Sequence, residues 1–292
     1  FLAIQINLIY FFHMPLFFIL SGYTARAVPW RIFLPAAVRG LWLPFLCFSA
    51  FLLAADFLIE GAKGFRPIFP NLWEGVWTIL FATEKTRGPF TILWFIPALF
   101  FGRLLWNALA DRGWRATSWQ VQVVMAGIFA LALMAHELGE RSPLALLAVP
   151  GALLMIWAGA LWRHWGAPSA GWGLALAMFA ILVLVFASPL NMRQGDIGVP
   201  ELSLAGAAAA TVTLAGLVQR LPQAWIAGFA ILGRASLVIM YAHVAIIHYL
   251  RPYAPAAIIF LTAIVLSWGL HQIIRSSEFT RRALLGEPPT AR

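Results

Sequence analysis

The sequence predicts an all-α fold, namely a polytopic bundle of transmembrane helices. Of the 292 residues, 62% are hydrophobic and only 11% are charged, whereas charged residues make up about a quarter of a typical soluble domain. Mean hydropathy is +0.85, and apolar runs of roughly 18 residues, long enough to cross a bilayer as a helix, recur along the chain. These runs lack the period-two alternation of membrane β-strands, so helices are the spanning structure that fits.

Nine spans are expected in this chain. They cover about 7–24, 35–60, 90–109, 119–137, 143–162, 171–188, 202–219, 235–250 and 255–275. Short connections rich in Arg, Gly and Pro separate most of them, as is typical of turns between helices. The apolar segment 72–81 is too short to span, and its place within the polar stretch 61–89 favours a position at the membrane interface.

The charge distribution predicts the orientation. If the loop after the first span is cytoplasmic, thirteen of the 20 basic residues fall on the inner side: Arg26, Arg31, Arg39, Arg103, Arg112, Arg115, Arg163, Arg220, Arg234, Arg275, Arg281, Arg282 and Arg292. The positive-inside rule favours this arrangement. It predicts a membrane domain over residues 1–275 and a cytoplasmic C-terminal tail over 276–292. Since nine spans then start outside, we expect an N-terminally truncated domain whose missing first helix would make ten.

Composition also bears on partners. The net charge of +9 is explained by basic residues that flank the spans, and no basic run interleaved with aromatic residues lies outside them, so nucleic acid is not an expected partner. The single Cys47 cannot form an intramolecular disulfide. His243 and His248 are five residues apart, about 140° around a helix, whereas a helical metal pair needs a spacing of three or four. No metal site is expected.

His13 and His243 are the candidate catalytic residues. Each lies near the middle of an expected span, and the two spans run in opposite directions, so we expect the imidazoles at a similar depth. A polar side chain there is costly unless it faces the protein interior or a cavity. An imidazole with an ordinary pKa near 6.5 takes a proton from a hydroxyl at little cost. A structural hydrogen bond is the alternative interpretation of His13, and Ser21 with Gly22 indicates helix packing rather than a nucleophile.

Four segments resemble a known family. Residues 12–23 read FHMPLFFILSGY, which resembles the signature of the membrane acyltransferase 3 family, whose members include sugar O-acetyltransferases of bacterial surface polysaccharides. Segments 39–45, 93–99 and 232–243 resemble further family motifs in the same order.

The resemblance implies ten spans and transfer of an acetyl or other acyl group from cytoplasmic acyl-CoA to a sugar hydroxyl, with no bound cofactor. It implies a histidine base and cationic groups that hold the CoA phosphates. The candidates for substrate and donor contact are Arg31, Arg39, Trp94, Arg234, Ser236 and Tyr241. For Trp94, the alternative to substrate contact is a structural role in the core or at the membrane interface. Family members usually carry an Arg and a His in the first helix, so the base is either His13 or a histidine of that helix.

The predicted protein is therefore an O-acyltransferase of the bacterial inner membrane, transferring groups other than amino-acyl groups. Its expected acceptor is a glycan or glycolipid of the cell envelope. Two rival functions stay open at this point. One is a transporter or exporter of a lipid-linked sugar, and the other is an inactive fragment or scaffold.

Overall fold

The computed structural model describes residues 2–62, 67–135, 142–186, 191–196 and 198–288. These residues are helical with no β-strand, which confirms the predicted all-α class. The α-helices are α1 (Leu2–Thr24), α2 (Trp30–Ala37), α3 (Leu43–Ala62), α4 (Leu72–Phe81), α5 (Phe95–Asp111), α6 (Trp119–Ala135), α7 (Val149–Trp165), α8 (Ala170–Phe186), α9 (Pro200–Val218), α10 (Gln223–Arg234), α11 (Ser236–Leu250), α12 (Ala256–Arg275) and α13 (Glu278–Leu285).

The number of spans differs from the prediction. Within the described residues, five helical stretches are long and apolar enough to cross a bilayer: Trp30–Ala62, Gly88–Asp111, Pro143–Trp165, Pro200–Val218 and Ala256–Arg275. The pair α10–α11, bent by 73°, makes a sixth if it counts as one span. Nine spans are thus not confirmed. Helices α6 and α8 match two expected spans in position but have 17 residues each, about 26 Å at the α-helical rise, against a hydrocarbon core of about 30 Å.

Large apolar side chains cover the outer faces of several helices. On α8, Leu174 is 64% and Phe186 is 81% exposed, and on α3 Leu58 is 72% exposed. Apolar surface on this scale is unfavourable in water but matches a lipid environment. The exposed faces therefore support a multi-pass membrane protein.

The helices cluster into two compact units. Unit 1 contains the described residues within Phe1–Ile32, Ala98–Glu140 and Leu146–Pro222, and unit 2 contains those within Phe33–Pro97, Arg141–Ala145 and Gln223–Arg292.

Unit 1 is built on α7. This helix packs against α1, α6 and α9, and most of its residues from Val149 to Gly159 are buried. Two glycines allow α1 and α7 to meet backbone to backbone. An added Cβ on Gly22 would overlap the carbonyl oxygen of Ile156, and one on Gly159 would overlap the carbonyl oxygen of Ile19. Small residues at such crossings are typical of packed membrane helices.

Unit 2 centres on α11, which packs against α12 and against the 3₁₀ turn Gly88–Ile92. Helix α3 packs against α4 and α13. One turn of π-helix, Val38–Trp42, joins α2 to α3. The segment 72–81, expected to be too short to span, is the ten-residue helix α4.

The backbone contact between α1 and α7 predicts the response to glycine substitution. Gly22→Ala and Gly159→Ala should each destabilise the protein by about 1–3 kcal/mol, because the added methyl group must push the two helices apart. The measurement is the midpoint of heat-induced loss of monodisperse protein in detergent.

Gly127→Ala is the matched control. Gly127 lies inside α6, and apart from the backbone of its own helix an added Cβ there would meet no described atom within 4 Å. Replacing it should leave the midpoint unchanged or raise it, since glycine in a helix is less favourable than alanine by roughly 0.5–1 kcal/mol. Equal midpoints for Gly22→Ala, Gly159→Ala and Gly127→Ala would contradict the backbone contact.

Candidate active site

His13 lies on α1 in unit 1, half-buried among apolar neighbours on its own helix. Phe11, Met14 and Phe18 are all at most 8% exposed. Pro15 lies inside the helix, and because proline has no N–H it leaves the carbonyl of Phe11 without its usual helical donor. An imidazole and a backbone carbonyl are thus the polar groups of an otherwise apolar turn.

Ser21 and Gly22 have the packing role that the sequence indicates. Gly22 makes the close contact with α7 described above, and Ser21 contacts a cation. One guanidinium nitrogen of Arg103, on α5, donates to Ser21 Oγ at 3.0 Å and also lies 3.4 Å from the Ser21 carbonyl oxygen. A hydroxyl that accepts from an arginine in this way ties α1 to α5.

A cavity of about 590 Å³ opens where α1, α5 and α7 end. Gly22 and the buried ring of Trp106 contribute to its lining. Four basic side chains also line it: Arg26, Arg115, Arg163 and His164. No carboxylate is among the lining residues of this cavity.

His243 lies on α11 in unit 2 and has a defined ring orientation. Its Nδ1 is 2.7 Å from the carbonyl oxygen of Ile239, one turn earlier. Because a carbonyl oxygen only accepts hydrogen bonds, Nδ1 carries the proton in the neutral ring, and Nε2 keeps a free lone pair. The geometry therefore gives His243 the tautomer that a proton acceptor needs at Nε2.

Tyr241, two positions before His243 and about 200° around the helix from it, is fully buried. The ring stacks on Phe48 with centroids 4.3 Å apart and an interplanar angle of 12°. Its hydroxyl is buried and has no hydrogen-bond partner within the described residues. Buried polar groups are nearly always satisfied, so an unpaired hydroxyl calls for an explanation, such as a ligand.

Arg234 and Ser236 flank the bend between α10 and α11. Ala235 separates the helices with φ −90° and ψ 0° and is fully buried. The span expected over 235–250 corresponds to α11, and α10 meets the start of α11 at an angle of 73°. Arg234 is exposed at the end of α10.

The remaining predicted contact residues are dispersed. Arg31 is exposed on α2 and is not among the residues that line the cavity of unit 1. Arg39 lies on the π-helical turn, its buried Nε has no partner in the part of the chain that the structure describes, and its carbonyl packs on Gly286 after α13. Trp94 is 5% exposed and meets Phe95 edge to face at 6.2 Å. Its burial favours the core role for this ring.

His13 and Arg31 belong to unit 1, while the other predicted site residues belong to unit 2. The sequence interpretation missed the cavity of unit 1 as a site. Arg26, Arg115 and Arg163 had been counted only as cytoplasmic loop charges. Their shared predicted side of the membrane was the available signal, but it did not indicate that they line one cavity.

Asp56 is the fully buried carboxylate of unit 2. Its Oδ2 accepts from the backbone N–H of Ile68 at 2.8 Å, and its Oδ1 accepts from the Tyr249 hydroxyl at 3.1 Å. These two hydrogen bonds offset the cost of burying a carboxylate in an apolar helix. Within the described residues, no group of three or more His, Cys, Asp or Glu side chains is arranged to hold a metal ion.

Comparison with known proteins identifies the family. The family model of the acyltransferase 3 family, described as "Acyltransferase domain", matches residues 1–271. The resemblance drawn from residues 12–23 and the three later segments is thereby confirmed. No curated protein and no solved structure matches the chain significantly.

Removing the hydroxyl should lower the heat-denaturation midpoint at one tyrosine of α11 and not at the other. Tyr249→Phe should lower the heat-denaturation midpoint, since Asp56 loses a hydrogen bond worth about 1.5–3 kcal/mol to a charged group. Tyr241→Phe should leave the midpoint unchanged or higher, because its hydroxyl has no hydrogen-bond partner among the described residues. A midpoint lowered as much by Tyr241→Phe as by Tyr249→Phe would show that the Tyr241 hydroxyl is bonded within the protein.

Proposed function

The chain belongs to the acyltransferase 3 family, and on that premise we propose that it is a membrane O-acyltransferase that moves an acetyl or other acyl group from acyl-CoA to a hydroxyl of an envelope sugar or glycolipid. The single observation that carries the proposal is the family match over residues 1–271. The apolar helices support a multi-pass position in the membrane. The bacterial inner membrane and a cytoplasmic C-terminus are part of the proposal.

The proposed chemistry needs one base and no bound cofactor. A neutral imidazole takes the proton of the acceptor hydroxyl as its oxygen attacks the thioester carbonyl. The carbon–sulfur bond breaks, the CoA sulfur leaves as thiolate, and the imidazolium returns the proton to it. The products are an O-acyl ester and free CoA, and the histidine is regenerated.

His13 is the proposed base or orienting group, and His243 is the second imidazole. Two features support these roles. His13 is half-buried in the signature segment, and the Nε2 lone pair of His243 is free of the Ile239 carbonyl. The unpaired Tyr241 hydroxyl and the Ser236 hydroxyl are proposed to contact the acceptor sugar. Donor contact is proposed for Arg31, Arg39 and Arg234, as the family resemblance implies, whereas the burial of Trp94 favours its core role.

The proposal predicts acyl transfer that depends on histidine. Membranes containing the full chain are incubated with acetyl-CoA labelled in the acetyl group, and label is counted in the glycan and glycolipid fractions. His13→Ala should reduce the initial rate by about 10²–10⁴-fold, the usual contribution of a general base. His243→Ala should reduce it as well. His248→Ala, at a half-buried histidine of α11, is the control outside the proposed site and the proposed chemistry.

The outcomes separate the competing functions. Labelled glycan that disappears with His13→Ala supports the enzyme and the proposed base. Labelled glycan that persists in both His13→Ala and His243→Ala would keep acyl transfer but contradict both histidine roles. Movement of a lipid-linked sugar across the membrane, with no acyl-CoA consumed, would overturn the enzyme in favour of a transporter.

A further inference from the structure

The cavity of unit 1 concentrates positive charge at one end of the helices. Arg26, Arg115 and Arg163 line it together with His164. Three helices, α1, α5 and α7, end there, and each C-terminus contributes roughly −0.5 of an elementary charge. The resulting charge of about −1.5 is smaller than the +3 of the three guanidinium groups, so the cavity keeps an excess of positive charge.

Hydrogen bonds fix the walls of this cavity. The side chain of Asn107, on α5, bonds both backbone groups of Val28 in the loop after α1, at 3.1 Å and 3.0 Å. Trp157 Nε1, on α7, donates to the carbonyl of Ala116 at 2.8 Å and so holds the loop after α5. Binding to walls that are already ordered costs less conformational entropy than binding to free loops.

Only some of the arginines at this end of the helices are engaged in capping helix C-termini. Arg163 donates to the carbonyl oxygen of Ala25, just beyond the end of α1, at 2.8 Å. Arg112, which follows the last residue of α5, donates to the carbonyl oxygen of Ala108 at 2.7 Å. Within the described residues, no hydrogen bond or ion pair engages the side chains of Arg26 and Arg115. These two cations remain available to a ligand.

We propose that this cavity binds the phosphate groups of the acyl donor, a role that rests on the proposed function. Guanidinium groups in a concave site recognise phosphate through paired, charge-assisted hydrogen bonds. The cavity also adjoins α1 at Gly22, nine residues beyond His13, or about 13 Å along the helix. Phosphates held here leave the pantetheine arm to carry the thioester away from the cavity. An anionic lipid headgroup shares the phosphate chemistry and is the competing ligand.

The test compares a donor with phosphates and a donor without them. The full chain is placed in phosphatidylcholine nanodiscs, and binding of CoA and of pantetheine is measured for the wild type and for the double variant Arg26→Gln/Arg115→Gln. CoA affinity should fall about tenfold or more in the double variant, since a hydrogen bond to a charged group is worth about one to two decades. Pantetheine affinity should not change. Arg251→Gln, at an exposed arginine in unit 2, should match the wild type.

Transfer kinetics distinguish this inference from the proposed function. The KM for acetyl-CoA should rise in the double variant, with the rate at saturation retained and with transfer from S-acetylpantetheine unaffected. If the double variant transfers acyl groups at the wild-type rate with an unchanged KM for acetyl-CoA, the cavity assignment is wrong and the proposed function stands. CoA binding that depends on Arg26 and Arg115 without any transfer would uphold the phosphate site and overturn the proposed function.

A separate experiment tests whether the cavity binds an anionic lipid headgroup instead of the acyl donor. Nanodiscs containing phosphatidylglycerol are compared with nanodiscs of phosphatidylcholine alone. If the anionic lipid raises the heat-denaturation midpoint of the wild type but not of the double variant, and CoA does not bind, the cavity is a headgroup site and the donor assignment is overturned.

Discussion

The contact between the backbones of α1 and α7 is the constraint on which unit 1 depends. Gly22 and Gly159 each lie against a carbonyl of the facing helix, so neither position accepts a side chain. This close approach places the end of α1 beside α7, where Arg163 reaches the Ala25 carbonyl. The Ser-Gly pair of the signature segment is thereby explained physically. It serves helix packing, and the segment it anchors carries His13.

Polar groups within the apolar helices follow one rule with informative exceptions. Where the bilayer offers no water, each polar group needs a partner in the protein, and Arg103, Asp56 and His243 have one. Within the described residues, several buried side-chain atoms have no hydrogen-bond partner, among them the hydroxyls of Tyr241, Ser49, Thr213 and Ser267 and the Nδ1 of His271. Tyr241 lies in the segment that resembles a family motif, on a face of α11 about 200° around the helix from His243. A polar atom of a substrate at that face of α11 would satisfy the phenol.

Composition and periodicity were sufficient to predict the helical class and the approximate bounds of most helices, since apolar runs bounded by Gly, Pro and Arg leave few alternatives. Gly233 and the expected start of a span at 235 mark the boundary between α10 and α11 in the sequence, but the angle of 73° between these helices depends on tertiary packing. No residue pattern in the sequence predicts the π-helical turn at Arg39. The cavity of unit 1 depends on three helices ending together, and this tertiary arrangement cannot be derived from loop charges. The tautomer of His243 likewise required the position of the Ile239 carbonyl.

The most direct test of imidazole-based acyl transfer is the dependence of the initial rate on pH, with acetyl-CoA saturating and the wild-type chain in membranes. Only the neutral imidazole accepts the acceptor's proton, so protonation removes the base. The rate should therefore rise with pH through the histidine range near 6.5 and then level off. A flat profile from about pH 5 to 8 would contradict a histidine base in this protein.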